Sequence, residues 1–173
     1  TRIRRILIIR PSALGDVCRT VPVAVSVKRA LPGARLDWLV QQGFEDAVRH
    51  HPDVDSVLPF ARRELSGLRA VTSRAGRAVL RSLLRDLRGG NGTRYDLVID
   101  CQGLLRSGLM AWWTRAGVRG GERCAREGAH RFYTHAAATD PASHTVERML
   151  GIASHLGIEP VRDMRLYTDE PTR

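Results

Sequence analysis

With 173 residues, 43% of them hydrophobic, the chain is long enough to bury a real core and is of ordinary single-domain size. Its 28 Lys and Arg against 18 Asp and Glu leave a formal charge of +10, which points to an anionic partner such as nucleic acid, anionic lipid or a phosphorylated sugar. No apolar run approaches the roughly 18 residues that a membrane-spanning helix needs, and Cys18, Cys101 and Cys124 include no C-x-x-C pair, which fits a reduced, cytoplasmic setting better than a disulfide framework. Thr1 leads into an apolar strand rather than a signal-peptide pattern, and a start without Met reads as a processed or recut chain.

Residues 6–9 are four bulky apolar side chains bounded by Arg5 and Arg10 and stopped by Pro11, the pattern of a fully buried parallel strand. Pro11, Ser12 and Gly15 predict a turn. Apolar residues at helical spacing then predict one helix over 17–31, with Pro22 tolerated near its start and Pro32-Gly33 ending it. Residues 36–40 read as a second strand, 44–50 as a short helix closed by Pro52, and 54–60 as a third strand carried toward the sheet surface by Pro59. This β-α-β-α-β order with short linkers predicts a parallel sheet with right-handed crossovers.

The character changes over 61–92. Val71, Val79, Leu80, Leu83, Leu84 and Leu87 form one face of a helix, and Arg74, Arg77, Arg81, Arg85 and Arg88, at steps of 3, 4, 4 and 3, form another. The arginine stripe reads either as the solvated face of a packed helix or as a patch drawn to an anionic membrane surface. Gly89-Gly90-Asn91-Gly92 ends the helix. Residues 95–100 predict a fourth strand turning at 100–103 into a helix over 104–116, and 118–121 a short fifth strand. Residues 122–138 read as irregular, 144–156 as a last helix stopped by Gly157, and 168–173 as the start of a linker, which leaves 1–167 as one domain.

The loop over 11–16 has one glycine and no lysine, so it matches neither the G-x-G-x-x-G dinucleotide fingerprint nor a P-loop. Asp16 falls where a strand hands over to a helix, the place where open α/β sheets keep their ligands. A carboxylate there can take the proton of an attacking sugar hydroxyl, or it can merely cap the helix. Asp100 and Gln102 end a central strand beside it. Neither Cys124 with His130 and His135 nor His50 with His51 and Asp53 has the spacing of a metal set, and Ser12 lacks a G-x-S-x-G elbow. Few aromatics interleave with the basic runs, which argues against nucleic acid; Trp112 and Trp113 lie on an apolar helix and read as core or interface.

Four motifs in register identify a family. Ile6-Leu7-Ile8-Ile9-Arg10-Pro11-Ser12-Ala13-Leu14-Gly15-Asp16-Val17, Phe44-Glu45 after Trp38-Leu39-Val40, residues 95–107 around Asp100-Cys101-Gln102-Gly103, and His144-Thr145-Val146-Glu147-Arg148 resemble the amino-terminal half of the lipopolysaccharide heptosyltransferases of glycosyltransferase family 9, nearest to the heptosyltransferase I type. The resemblance implies a Rossmann-like doubly wound parallel sheet that is the amino-terminal, acceptor-binding half of a GT-B enzyme. It implies an inverting, metal-independent reaction without cofactor, in which ADP-heptose, bound mainly by a second domain outside this chain, donates heptose to the Kdo-lipid A inner core. Asp16 corresponds to the family's proposed base, and Ser12, Arg62, Arg63, Gln102 and Arg126 to the acceptor-binding side. The location implied is cytoplasmic, peripheral at the inner face of the inner membrane. Arg19 stands where His is common and Arg10-Pro11 where Lys-Thr is common. Another nucleotide sugar or acceptor, and a non-catalytic basic α/β module for an anionic ligand or membrane, therefore stay open at this point. The isolated chain is expected to transfer no sugar.

Overall fold

The computed structural model describes residues 2–67, 72–90 and 92–169. Val71, Asn91 and residues 170–173 of the expected linker lie outside the described residues. The elements in chain order are β1 (Arg5–Ile9), α1 (Leu14–Arg19), α2 (Val21–Ala30), β2 (Arg35–Gln41), α3 (Asp46–Arg49), β3 (Ser56–Phe60), α4 (Arg74–Leu87), β4 (Leu97–Asp100), α5 (Leu105–Trp113), β5 (Val118–Glu122), a 3-10 turn (Arg126–Phe132), β6 (His135–Ala137) and α6 (Thr145–His155).

The six strands are all parallel, in the order β3-β2-β1-β4-β5-β6. Winding proceeds outward from β1 on one side and from β4 on the other, which is the expected doubly wound sheet. Because the direction reverses between β1 and β4, the loops leaving these two strands diverge and open a crevice over their carboxyl ends. Alternation of side chains gives the sheet two apolar faces. Ile6, Ile8, Leu36, Trp38, Val40, Leu97 and Ile99 pack with residues of α1, α2, α3 and α6, while Leu7, Ile9, Leu39 and Val98 pack beneath α4 and α5 through Leu83, Leu87, Met110 and Ala111. Cover on both faces explains the unbroken apolar run of β1, in which Ile6 to Ile9 are wholly buried.

Two expectations are corrected. The single helix over 17–31 is two helices, because Pro22 has no N–H to continue the ladder of α1 and instead sits in the first turn of α2. Ser26, buried in α2, donates to the Pro22 carbonyl at 2.6 Å and accepts the Val161 N–H at 2.8 Å, pinning the segment that follows α6. The stretch 122–138 is ordered, with a 3-10 turn and a sixth strand. β6 is three residues long, His135-Ala136-Ala137, and carries no β-branched or aromatic signal; pairing with β5 makes it a strand.

β5 owes its glycines to crowding on both faces. A Cβ on Gly120 would meet Leu156 Cδ1 at 2.7 Å, and one on Gly121 would meet the Tyr133 ring at 2.2 Å. Gly121→Ala is expected to destabilise the fold by about 1–3 kcal/mol and to displace Tyr133, read by denaturant unfolding and by near-ultraviolet circular dichroism. Asp55, just before β3, accepts the Leu36 N–H at 2.7 Å and Lys28 Nζ at 2.8 Å. Partial burial pulls its carboxyl upward, but the Leu36 amide and the Lys28 ammonium outweigh that and hold it below its usual value. A carboxyl held low contributes stability above its unfolded pKa and loses it as pH falls through the lower folded value. Asp55 is exposed and solvent screens its ion pair, so Asp55→Asn is expected to cost a few tenths of a kcal/mol, about 0.5, at neutral pH and progressively less below about pH 4, measured by urea melts across pH.

Candidate active site

The crevice is built on Arg10, the residue that leaves β1. Its backbone N–H donates to the Leu39 carbonyl at 3.2 Å, and its guanidinium is almost wholly buried. Nη1 donates to the Cys101 carbonyl beyond β4, and Nη2 lies 2.8 Å from Asp16 Oδ2. Asp16 sits in the first turn of α1 with its side chain 32% exposed, and its Oδ1 is 3.4 Å from Arg19 Nη1. Ala13 holds the capping position of α1. The Asp16 carboxylate thus faces two guanidiniums at the mouth of the crevice, an orientation that suits more than a helix cap.

On the β4 side the fully buried Asp100 organises the turn. Its Oδ1 accepts the N–H groups of Gln102 and Gly103 at 2.9 and 3.2 Å, and its Oδ2 accepts the Tyr133 hydroxyl at 2.6 Å. Burial pushes the Asp100 carboxyl up, against the pull of these donors and of Ser107. Gly103 turns with φ +67°, in the left-handed region that glycine enters without strain. Gln102 Oε1 accepts the Ser12 N–H at 3.2 Å, which joins the two loops, and the Gly103 carbonyl accepts the Arg126 N–H at 2.8 Å. Glu127, next along the 3-10 turn, accepts the Leu105 N–H at 3.1 Å and so caps α5.

Three adjoining clefts follow. The first, about 480 Å³, is lined by Arg10, Asp16, Gln102, Glu122, Arg126 and Arg148. The second, about 180 Å³, is lined by Ser12, Arg62, Gln102, Arg106 and Glu127, and the third, about 430 Å³, by Gln41, Gln42, Arg62, Arg63 and Glu64. Shared lining by Gln102 and by Arg62 makes them one path across the carboxyl edge of the sheet. Asp16, Gln102 and Arg126 therefore meet in one cleft, Ser12, Gln102 and Arg62 in the next, and Arg63 stands farther along. Arg62, Arg63 and Arg126 are exposed, and their guanidiniums can engage carboxylates or phosphates bidentately. Among the described residues no group of three His, Cys, Asp or Glu side chains is placed to hold a metal ion.

Sequence reasoning missed three contributors. Arg10 was legible as the residue after a strand and as a departure from the family motif, but not as the partner of Asp16. Arg106 lines the second cleft from α5, with its guanidinium 5.9 Å from the Phe60 ring centroid. Arg148 Nε and Nη2 donate to the Glu122 carboxylate at 2.8 and 2.5 Å, and Thr139 Oγ1 donates to Glu122 Oε1 at 2.7 Å. This buried arrangement ties α6 to the end of β5 and walls the first cleft. Its only sequence signal was the place of Arg148 in the His144–Arg148 motif.

Comparison with known proteins identifies the family and the fold. The model of glycosyltransferase family 9 (heptosyltransferase) matches residues 80–171. The lipopolysaccharide heptosyltransferase 1 of Pseudomonas aeruginosa is 38% identical over a match covering 83% of this chain and 40% of the relative, and that of Escherichia coli K12 is 34% identical over 83% and 44%. Among solved structures, the E. coli heptosyltransferase WaaC with ADP superposes with a TM-score of 0.79 at 32% identity, covering 92% of this chain and 49% of that one. A family 9 glycosyltransferase from Veillonella parvula, 18% identical with a TM-score of 0.74, shares the fold. The chain thus spans less than half the length of these curated relatives. With a family model matched over residues 80–171 and a fold shared over 92% of its length, the chain belongs to glycosyltransferase family 9, the heptosyltransferase family.

Proposed function

We propose that residues 1–167 form the acceptor-binding domain of an inverting, metal-independent heptosyltransferase that moves heptose from ADP-heptose to a Kdo hydroxyl of the lipid A-linked inner core. The observation that carries this reading is the partly exposed Asp16 carboxylate, held by buried Arg10 at 2.8 Å and opening onto a cleft shared with Gln102 and Arg126. Names of similar proteins support the donor and product class, since the E. coli WaaC structures hold ADP and ADP-2-deoxy-2-fluoro heptose.

In the proposed step the acceptor hydroxyl oxygen attacks the anomeric carbon of heptose as its proton passes to Asp16. The anomeric C–O bond breaks with inversion, and ADP leaves with the bonding electrons. Arg10 and Arg19 fix the orientation of the base, and a carboxylate has lone-pair sites beyond those two contacts for the incoming hydroxyl. Ser12, Gln102, Arg62, Arg63 and Arg126 orient the acceptor, the arginines by pairing with its carboxylates and phosphates. The donor is held mainly by a part of the protein outside residues 1–173, and the work is done at the cytoplasmic face of the inner membrane.

Asp16→Asn in the full-length protein is expected to lower kcat by about 100- to 10,000-fold while ADP affinity holds, measured by steady-state kinetics and by calorimetry. Arg126→Ala is expected to raise the acceptor KM by about tenfold or more with a smaller effect on kcat, read with the Kdo-lipid acceptor varied at saturating donor. The 173-residue chain alone is expected to bind a Kdo-containing acceptor, to bind ADP negligibly and to transfer no heptose; turnover by that chain would refute the division of labour proposed here.

A further inference from the structure

α5 turns an apolar face to solvent. Leu105, Leu109 and Trp112, at helical steps of four and three, are 41%, 43% and 50% exposed and form one stripe. Beside it runs a groove of about 360 Å³ between α4 and α5, walled by Leu80, Leu84 and Leu87 on one side and by Leu109 and Trp112 on the other. The tandem tryptophans divide their roles. Trp113 is structural, its Nε1 donating to the Leu84 carbonyl at 3.1 Å and its ring lying 4.4 Å from the Arg88 guanidinium. Arg88, expected in the arginine stripe, is half-buried and stacks on Trp113; Arg74, Arg81 and Arg85 are exposed along α4, as is Arg77, whose Nη1 donates to the Thr72 carbonyl at 2.8 Å.

The groove does not stop at the helices. Phe60, Arg106 and Met110 line both it and the cleft that holds Ser12, Arg62 and Gln102. An apolar channel flanked by cations thus runs into the polar acceptor side of the crevice.

We propose that the α4–α5 face docks on an anionic lipid bilayer, with Leu105, Leu109 and Trp112 entering the interfacial layer while Arg74, Arg77, Arg81 and Arg85 meet lipid phosphates. This inference rests on the lipid-linked acceptor proposed above and adds the surface and the path. A bilayer is the occupant that satisfies both halves of the face at once. Apolar side chains and an indole find the headgroup boundary, and the arginines find negative charge. A second copy docked by two-fold symmetry would instead press one set of these arginines against another. Docking here sets the groove against the lipid and points the Arg106 end of the path at the sugar, so that an acceptor embedded in the bilayer reaches Asp16 without leaving it.

The test uses the full-length protein with vesicles of phosphatidylcholine alone and with about a third phosphatidylglycerol. Binding to the anionic vesicles, weakened by salt, is expected. The double variant Leu109→Glu with Trp112→Glu should reduce it by about tenfold or more, and so should Arg74→Gln with Arg81→Gln and Arg85→Gln. Circular dichroism and transfer to a water-soluble, deacylated acceptor should stay unchanged in both. Wild-type binding that the Glu variant leaves intact overturns the proposal, as does a concentration-dependent dimer that the Glu variant dissolves. Vesicle binding is read without turnover. A failed transferase reading therefore appears as absent transfer with binding retained, and a failed docking reading as absent binding with transfer to the soluble acceptor retained.

Discussion

One buried guanidinium holds the crevice together. Arg10 leaves the central strand β1, donates to the Cys101 carbonyl that follows β4, and pairs with Asp16 at the start of the first helix. Loops that leave neighbouring strands at a topological switch point diverge by the logic of the winding. Something must hold them at a fixed separation, and here a planar cation with donors on two sides does so together with the Ser12–Gln102 hydrogen bond. Burial of a charge is costly unless it is paired and hydrogen-bonded, and Arg10 meets a carboxylate with one nitrogen and a carbonyl with another. Its Nε lies buried without a hydrogen-bond partner, so the arrangement is tuned to the Asp16 contact rather than to full satisfaction of the arginine.

The opposite end of the sheet has a comparable centre with a different purpose. Asp37 in β2 is 1% exposed and accepts from Arg5 Nη2 at 2.8 Å, Arg35 Nε at 3.0 Å and the Tyr95 hydroxyl at 2.9 Å. Burial and the neighbouring Asp37 charge push the Tyr95 phenol up, so it stays a hydrogen-bond donor. This cluster is closed, while Asp16 is partly open to solvent. The contrast separates a carboxylate used to fasten strands from one left open to the crevice.

Much of the crevice was legible in the linear order of residues. Asp16, Gln102 and Ser12 come from loops predicted to follow strands, and a parallel sheet brings such loops to one edge whatever their sequence separation. Arg126 was harder, because it lies in a stretch without helical or strand periodicity. It reaches the crevice through its backbone bond to the Gly103 carbonyl at 2.8 Å and through β6, a strand formed by pairing alone. Arg106 and Arg148 stand on helices whose orientation no local pattern reports. Equally, nothing in the run of arginines distinguishes Arg88, stacked on Trp113, from Arg85, one turn earlier and exposed; the register of α4 against α5 decides that.

By itself the sequence determined the alternation of strands and helices, the buried character of β1, the break from strand to helix at Pro11 to Asp16, and the family motifs. Each of these is written in local periodicity, in turn residues or in fixed spacing. Tertiary structure alone decided that Arg10 would hold Asp16, that the clefts would join through Gln102 and Arg62, and that Leu105, Leu109 and Trp112 would be left uncovered beside a basic helix. These are contacts between segments up to about 90 residues apart, and their energies depend on distance and burial, which no window along the chain contains.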